Sequence, residues 1–429
     1  MVTGKYLDAC AAEDGGLRDV MAAAEFSAPF REGWGRYLLP RPMFIEQERI
    51  RAAADDVAGL FDLLAGLPDR LFDGDPRKLC AAIGADERQA ALMTRLADRP
   101  PRYGRADLYD DGSALRLLEF NVGSELGGVD VSEAGRALLA TEAFGAFAAE
   151  FGLGHVDTVE AIARQFVAAT GKDAPVVASL EAIGGMPKYL ALQRSFQESV
   201  KRCGVEVLLG EVDEVERRGG RLYLRDRPVD LVLRYFTVGQ LCRDPRNDPH
   251  VERIVRAHEA GEVVLWTPLT SAMFSYKSCL PLVSDPELRG ELSAEEAALV
   301  DRILPWTRML TPDLADLVRA ERANMIIKPI GGLGGTGVHV GWDQTDREWA
   351  ETVAACTGRG HIVQRRVRPR PEPVMDPRTG AIEEWSAVWG VFTVPDGYGG
   401  AFCRAMPSGT GSVVNLSGKG ARIAPVFHY

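Results

Sequence analysis

One stretch restricts the fold of this 429-residue chain more than any other: residues 323–343, Ala-Asn-Met-Ile-Ile-Lys-Pro-Ile-Gly-Gly-Leu-Gly-Gly-Thr-Gly-Val-His-Val-Gly-Trp-Asp. The apolar run Met325-Ile326-Ile327 predicts a short buried strand ending at Lys328-Pro329, and Val338-His339-Val340 alternates like a second strand. Between them Gly331, Gly332, Gly334, Gly335 and Gly337, with Thr336, make a loop almost free of side chains. Strand, glycine loop, strand predicts a hairpin flap whose backbone N–H groups can close over a polyphosphate. A Cβ would block that close approach and the φ > 0 turns. Lys328 at the strand end supplies a point charge suited to phosphate oxygens. The same letters satisfy G-x-G-x-x-G at Gly332, Gly334 and Gly337, but that fingerprint should open a helix, and none is predicted before about Thr345. No Gly-Lys-Ser/Thr ends the loop, which excludes a Walker pattern. A glycine-rich turn without a ligand is the plainer alternative, but it would weaken the sheet for nothing.

A chain this long can hold two or three domains. Its net charge of -11 argues against nucleic acid or an anionic membrane as the main partner. Seven cysteines, odd in number and without a C-x-x-C pair, fit a reducing cytoplasm better than a disulfide framework or a zinc site. Asp8, Glu13 and Asp14 precede the Ala-rich Met21–Ala24 run, unlike a secretory signal, and no apolar stretch approaches membrane-spanning length. A cytoplasmic location is the expectation.

Residues 1–100 are predicted as mostly helical, with Ile45, Ile50, Val57, Leu60, Phe61 and Leu64 near helical spacing. Pro100-Pro101 ends the region. Asp110-Asp111-Gly112-Ser113 predicts a hairpin turn with Arg105 and Asp107 on one arm and Glu119 and Asn121 on the other. Residues two apart on a strand share a face, so each arm presents a polar pair; a solvated edge would explain that equally well. From about residue 156 the order helix, strand (174–180), helix (187–201), strand (205–209), hairpin (219–220), strand (229–236) predicts a small open Rossmann-like sheet. Arg234 at the last strand's end is either an anion contact or a surface arginine, the second being the simpler reading. Lys277 sits in an otherwise apolar, helical-looking segment beside Met273, Phe274, Leu280 and Leu282, where it either snorkels or holds a phosphate. After the flap, 345–357 is predicted as a helix, and 361–367, 384–394 and 400–406 as strands of an antiparallel sheet.

Taken together, Arg105-x-Asp107, Leu118-Glu-Phe-Asn121, Phe274-Ser-Tyr-Lys277, Ile327–Gly337, Ile362–Val367, Arg404 and Asn415 resemble the ATP-grasp superfamily, in the branch similar to glutathionylspermidine synthases and circularly permuted ATP-grasp proteins. The resemblance runs from about residue 102 to the end. Beyond the helical region 1–100 read from periodicity, it implies an α/β chain with a Rossmann-like pre-ATP-grasp substrate domain 101–260 and an ATP-grasp nucleotide domain 261–429. It implies an ADP-forming carboxylate–amine ligase using ATP and Mg²⁺, with small-molecule or peptide acids and amines as partners. A small-molecule kinase and a non-catalytic nucleotide-binding protein stay open as alternatives, and the oligomeric state stays open too, a homodimer included.

On that resemblance Lys277 and Lys328 would bind phosphates under the flap, and Gln364, Arg365 and Val367 would belong to the hinge strand that receives adenine. Arg404, with Lys328, would act on the γ-phosphate, and Asn415 would ligate Mg²⁺. The family usually carries an acid two residues before that asparagine, where this chain has Val413; Glu384 is the favoured second metal ligand and Asp376 the reserve. Arg105, Asp107, Glu119 and Asn121 are expected on the substrate side, the acids holding an ammonium and the arginine a carboxylate.

Overall fold

The structure, a computed structural model, describes residues 1–12, 16–96, 98–286, 289–332, 335–411, 413–416 and 420–429. Helices fill most of the first hundred residues, as the periodicity predicts. The longest, Gln47–Ala65, buries Ile50, Val57, Leu60, Phe61 and Leu64, while its Asp56 pairs with Arg302 at 2.7 Å. The region also contains an unexpected strand, β1 (Met43–Ile45), whose three buried apolar residues are too few to display a period.

The expected hairpin is present as β2 (Gly104–Asp110) and β3 (Leu115–Val122). Its turn is made by Asp111, whose Oδ1 accepts the backbone N–H of Ser113 and of Ala114, each at 2.8 Å. The chain continues through β4 (Val176–Glu181), β5 (Glu206–Glu211), β6 (Val215–Arg218), β7 (Arg221–Leu224), β8 (Arg227–Val229), β9 (Leu231–Arg234) and β10 (Val264–Trp266). Strands β10-β9-β4-β5 lie parallel in that order, the predicted open sheet, while β6-β7-β8 form a separate three-stranded sheet. Val177, Ala178, Leu180, Leu231, Val232 and Leu233 are all buried, which is why these strands read as unbroken apolar runs.

A second antiparallel layer follows from β11 (Thr307–Met309), β12 (Met325–Pro329), β13 (His339–Val340) and β14 (His361–Arg365), in the order β11-β14-β12-β13. Ile326 faces Val340 and Ile327 faces His339, so the glycine loop does join a hairpin, and the next α-helix begins only at Asp346. β11 escaped prediction because Pro305 and Pro312 bracket it closely. Finally β15 (Glu372–Met375), β16 (Ile382–Val394), β17 (Gly397–Pro407) and β18 (Arg422–His428) complete the large sheet, ordered β1-β18-β17-β16-β2-β3 with β15 beside the first part of β16.

All pairings in the large sheet are antiparallel except β1 with β18. Each of the three segments expected from the sequence therefore supplies strands to one sheet: β1 from the first, the β2–β3 hairpin from the second and β15–β18 from the third. Buried ion pairs fasten the joints. Arg41 meets Glu372 at 2.8 Å, and Asp110 sits between Arg49 (2.6 Å) and Arg370 (3.0 Å). Among the described residues no helix is long and apolar enough to cross a membrane.

Candidate active site

A cavity of about 820 Å³ opens between the large sheet and the β11-β14-β12-β13 layer. Its apolar part is a slot with Ile326 on one wall and Leu118, Val388 and Val414 on the other; Val388 and Val414 pack with Met406 in a small core of their own. Its polar part collects charge from segments far apart in sequence.

Lys328 leaves β12 nearly buried, at 6% exposure. Its Nζ donates to the Leu118 carbonyl at 2.8 Å and to Gln364 Oε1 at 2.7 Å. Gln364 is oriented in turn by Thr307, whose Oγ1 accepts from Nε2 at 3.0 Å. Desolvation is the main influence on Lys328; with Lys277 nearby it outweighs the attraction of Glu119 and Asp107, and the pKa falls to about 8. Gln364 thus spends its side chain on holding Lys328, a task its sequence position does not announce.

Lys277 lines the same cavity. It lies in the turn between the 3₁₀ segment Leu269–Ser275 and the helix Cys279–Ser284, not within a helix as its apolar surroundings suggested. Its Nζ stands 3.3 Å from the Gly332 carbonyl and 3.4 Å from Glu119 Oε2, while its backbone N–H donates to Ile330 O at 3.0 Å. The phosphate candidates and the root of the flap are therefore tied together. Gly332, Gly335 and Gly337 adopt φ of +102°, +76° and +74°, which explains the glycines. A Cβ on Gly335 would touch Val413 Cγ1 at 3.4 Å and Asn415 Nδ2 at 3.5 Å, so the flap rests on the loop that carries both.

The hairpin wall is built differently. Asp107 faces Glu119 across the β2–β3 ladder, and Arg105 faces Asn121. The buried Asp107 carboxylate accepts from Arg105 Nε (2.9 Å) and Asn121 Nδ2 (3.1 Å) and pairs with Arg404 Nη2 at 2.6 Å. Burial alone would raise its pKa; the two guanidinium groups more than offset that and hold it well below the usual carboxylate range. Gly390 on β16 makes the convergence possible, since a Cβ there would press on Arg105 Cδ and Phe402 Cε1, each at 3.1 Å. Asp107 is thus committed to aligning two arginines and is not free to hold a substrate ammonium, contrary to the expectation.

Of the residues singled out from the sequence, Lys277, Lys328, Gly332, Gly335, Thr336, Gln364, Arg365, Val367, Arg404, Asn415, Arg105, Asp107, Glu119 and Asn121 all line this cavity. Arg365 does so at the mouth, where it pairs with Glu321 at 3.0 Å. Gly331 and Gly337 belong to the flap without lining the cavity, and Gly334 lies outside the described residues. Glu384 is exposed and lies beyond the cavity, whose lining on β16 starts at Ser386, and Asp376 makes a local turn with Arg378. Arg234 is neither at the surface nor in the cavity: it is wholly buried.

Among the described residues no three His, Cys, Asp or Glu side chains cluster as a metal site. Hard oxygen donors do line the cavity as Asp107, Glu119, Asn121 and Asn415. Glu119-Phe120-Asn121 reproduces, on a strand, the acid-x-asparagine spacing that Val413 breaks before Asn415. One or two carboxylates with neutral oxygens suit Mg²⁺, which otherwise keeps water and phosphate oxygens. The hairpin therefore fits the ion better than Glu384 does.

No family model and no curated protein matches this chain. Among solved structures, a glutathione synthetase-like effector from Globodera pallida, in its apo form, aligns with a TM-score of 0.57 at 10% identity, over 91% of this chain and 90% of that one. A protein named as a gamma-glutamylcysteine synthetase from Methylobacillus flagellatus aligns with a TM-score of 0.42 at 14% identity, over 83% and 84%, too low a score to add to the argument. The chain has the α/β fold of a glutathione synthetase-like protein, consistent with an ATP-grasp architecture.

Proposed function

We propose that the protein is an ATP-dependent carboxylate–amine ligase that forms an amide through an acyl phosphate and releases ADP and phosphate. The observation that carries this reading is the meeting of Lys277 and Lys328, 51 positions apart in the sequence, on one cavity beneath a glycine hairpin and opposite Arg404. Phosphoryl transfer asks for positioned cations more than for covalent groups from the protein, and this cavity supplies them.

In this reading the slot between Ile326 and Val388 takes the base, and the lysines take the β- and γ-phosphates under the flap. Arg404 and Arg105, held by Asp107, orient the substrate carboxylate in line with the γ-phosphorus. Carboxylate oxygen attack breaks the bond from the γ-phosphorus to the ADP oxygen. The amine, once its ammonium proton has passed to water, attacks the acyl carbon; inorganic phosphate leaves with the bonding pair, and the second N–H proton is lost to water or the departing phosphate. Glu119 and Asn121, with Asn415, would hold Mg²⁺, which when bound supplies charge neutralisation on the phosphates. The glutathione synthetase-like name of the Globodera pallida neighbour supports an amide-forming ligase as the chemistry.

Incubation with ATP, Mg²⁺ and pooled acids and amines should release ADP and phosphate; AMP as product would overturn the reading. Hydroxylamine separates it from a small-molecule kinase, since an acyl phosphate gives a hydroxamate and a phosphorylated alcohol does not.

A further inference from the structure

Glu125 stands in the loop that leaves β3 for the parallel sheet, and its carboxylate lines the cavity at 18% side-chain exposure. Its Oε2 lies 2.6 Å from Nη2 of Arg234, at the end of β9. Arg234 has no exposure at all. Its Nε donates to Thr267 O (2.9 Å), its Nη1 to Phe236 O (2.6 Å), and its Nη2 toward Thr267 Oγ1 (3.3 Å) and Ser271 Oγ (3.2 Å). An arginine so enclosed touches no substrate; it fixes whatever its last charge faces. Gly123 makes room for the pair: at φ +128° it lacks the Cβ that would lie 2.7 Å from Glu125 Oε2 and 3.0 Å from Arg234 Nη2.

The other hairpin-side carboxylates are committed. Asp107 is saturated by two arginines and Asn121, and Glu119 faces Lys277. Among the described residues Glu125 is held by its ion pair with Arg234 alone, and its buried Oε2 makes no hydrogen bond. Two residues further on, the Gly127 carbonyl accepts from Arg105 Nη1 at 2.8 Å, which keeps this loop beside the arginine assigned to the substrate carboxylate. With Lys277, Lys328, Arg366 and Arg368 also lining the cavity, a protonated amine is held best beside a local carboxylate.

We infer that Glu125 recognises the amine substrate as an ammonium group, with Arg234 as the positioning residue beneath it; this rests on the ligase reading above. The role is one of binding, so it should appear as a difference between charged and uncharged nucleophiles. Hydroxylamine is neutral near pH 7, whereas the amino acids and alkyl diamines of a test pool carry ammonium groups. With ATP, Mg²⁺ and the acid that gives most hydroxamate, Glu125→Gln should raise the KM of the accepted amine at least tenfold more than that of hydroxylamine. Glu125→Asp should recover part of the difference. Equal effects on both nucleophiles, or no effect on either, would overturn the assignment, as would a wild-type enzyme that forms hydroxamates but takes no ammonium compound from the pool. Failure of the wild type to form any hydroxamate would instead remove the ligase reading itself.

Discussion

The two walls of the cavity hold their cations in opposite ways. On the large sheet, Arg105 and Arg404 are fixed by a buried carboxylate within a continuous antiparallel ladder. On the flap side, Lys328 and Lys277 lean on carbonyls, an amide oxygen and Glu119, partners that a phosphate can replace. The first arrangement costs stability if broken and keeps its geometry with or without ligand. The second leaves charges ready to change partners. In the proposed ligase the first would orient the substrate acid and the second would receive the nucleotide.

The contrast breaks most severely at Asp107. Replacing it by alanine leaves two buried guanidinium groups without their anion, and unfolding in urea should show a loss of about 3–5 kcal/mol. A stability unchanged within experimental error would mean the wall is not built on that pair. Lys328→Met should act on ligand more than on fold. Calorimetric nucleotide affinity should fall by about 10²-fold, while the unmet Leu118 carbonyl and Gln364 amide cost about 1–3 kcal/mol of stability.

Acidity sharpens the comparison further. Burial lowers Lys328 to about 8, so the free protein sheds this proton as pH rises through that value. Phosphate favours the charged amine; nucleotide binding should therefore take up a proton above pH 8 and weaken by up to about tenfold per pH unit. Calorimetry in buffers of different ionisation enthalpy reads the uptake, and Lys328→Met should abolish it. The same displacement makes stability rise between pH 8 and the ordinary lysine value of 10.5, where the unfolded chain binds more protons. The smallest effect belongs to Gly335→Ala. At φ +76° and within 3.4 Å of Val413, a methyl should cost about 1 kcal/mol, seen as a several-fold rise in nucleotide KM.

Local patterns made the flap and the β2–β3 hairpin legible, because glycine spacing and strand alternation are both short-range signals. That Arg105, Asp107, Glu119 and Asn121 share a face followed from period two alone. The partners they meet did not: Arg404 arrives through β17, whose neighbour β16 sets Gly390 opposite Asp107 far back in the chain and there leaves room for Arg105. Gln364 was legible as part of a strand but not as the support of Lys328, since a glutamine has no sequence signature for its hydrogen-bond partner. Arg234 was misplaced at the surface because burial of an arginine depends on the carboxylate and carbonyls that surround it. A glycine in the middle of β16 was the one available hint of close approach. Glu384 was placed on a long strand correctly, but strand alternation does not tell which stretch of that strand lines the cavity.

The parallel pairing of β1 with β18 joins residues 43–45 to 426–428. The early strand must wait, unpaired on that side, until residues 426–428 have been made, a long-range closure of the kind that slows folding. Assembly of the large sheet is thus a late event of biosynthesis, and a nascent chain stalled shortly before its final strand would leave an open apolar edge for chaperones to cover.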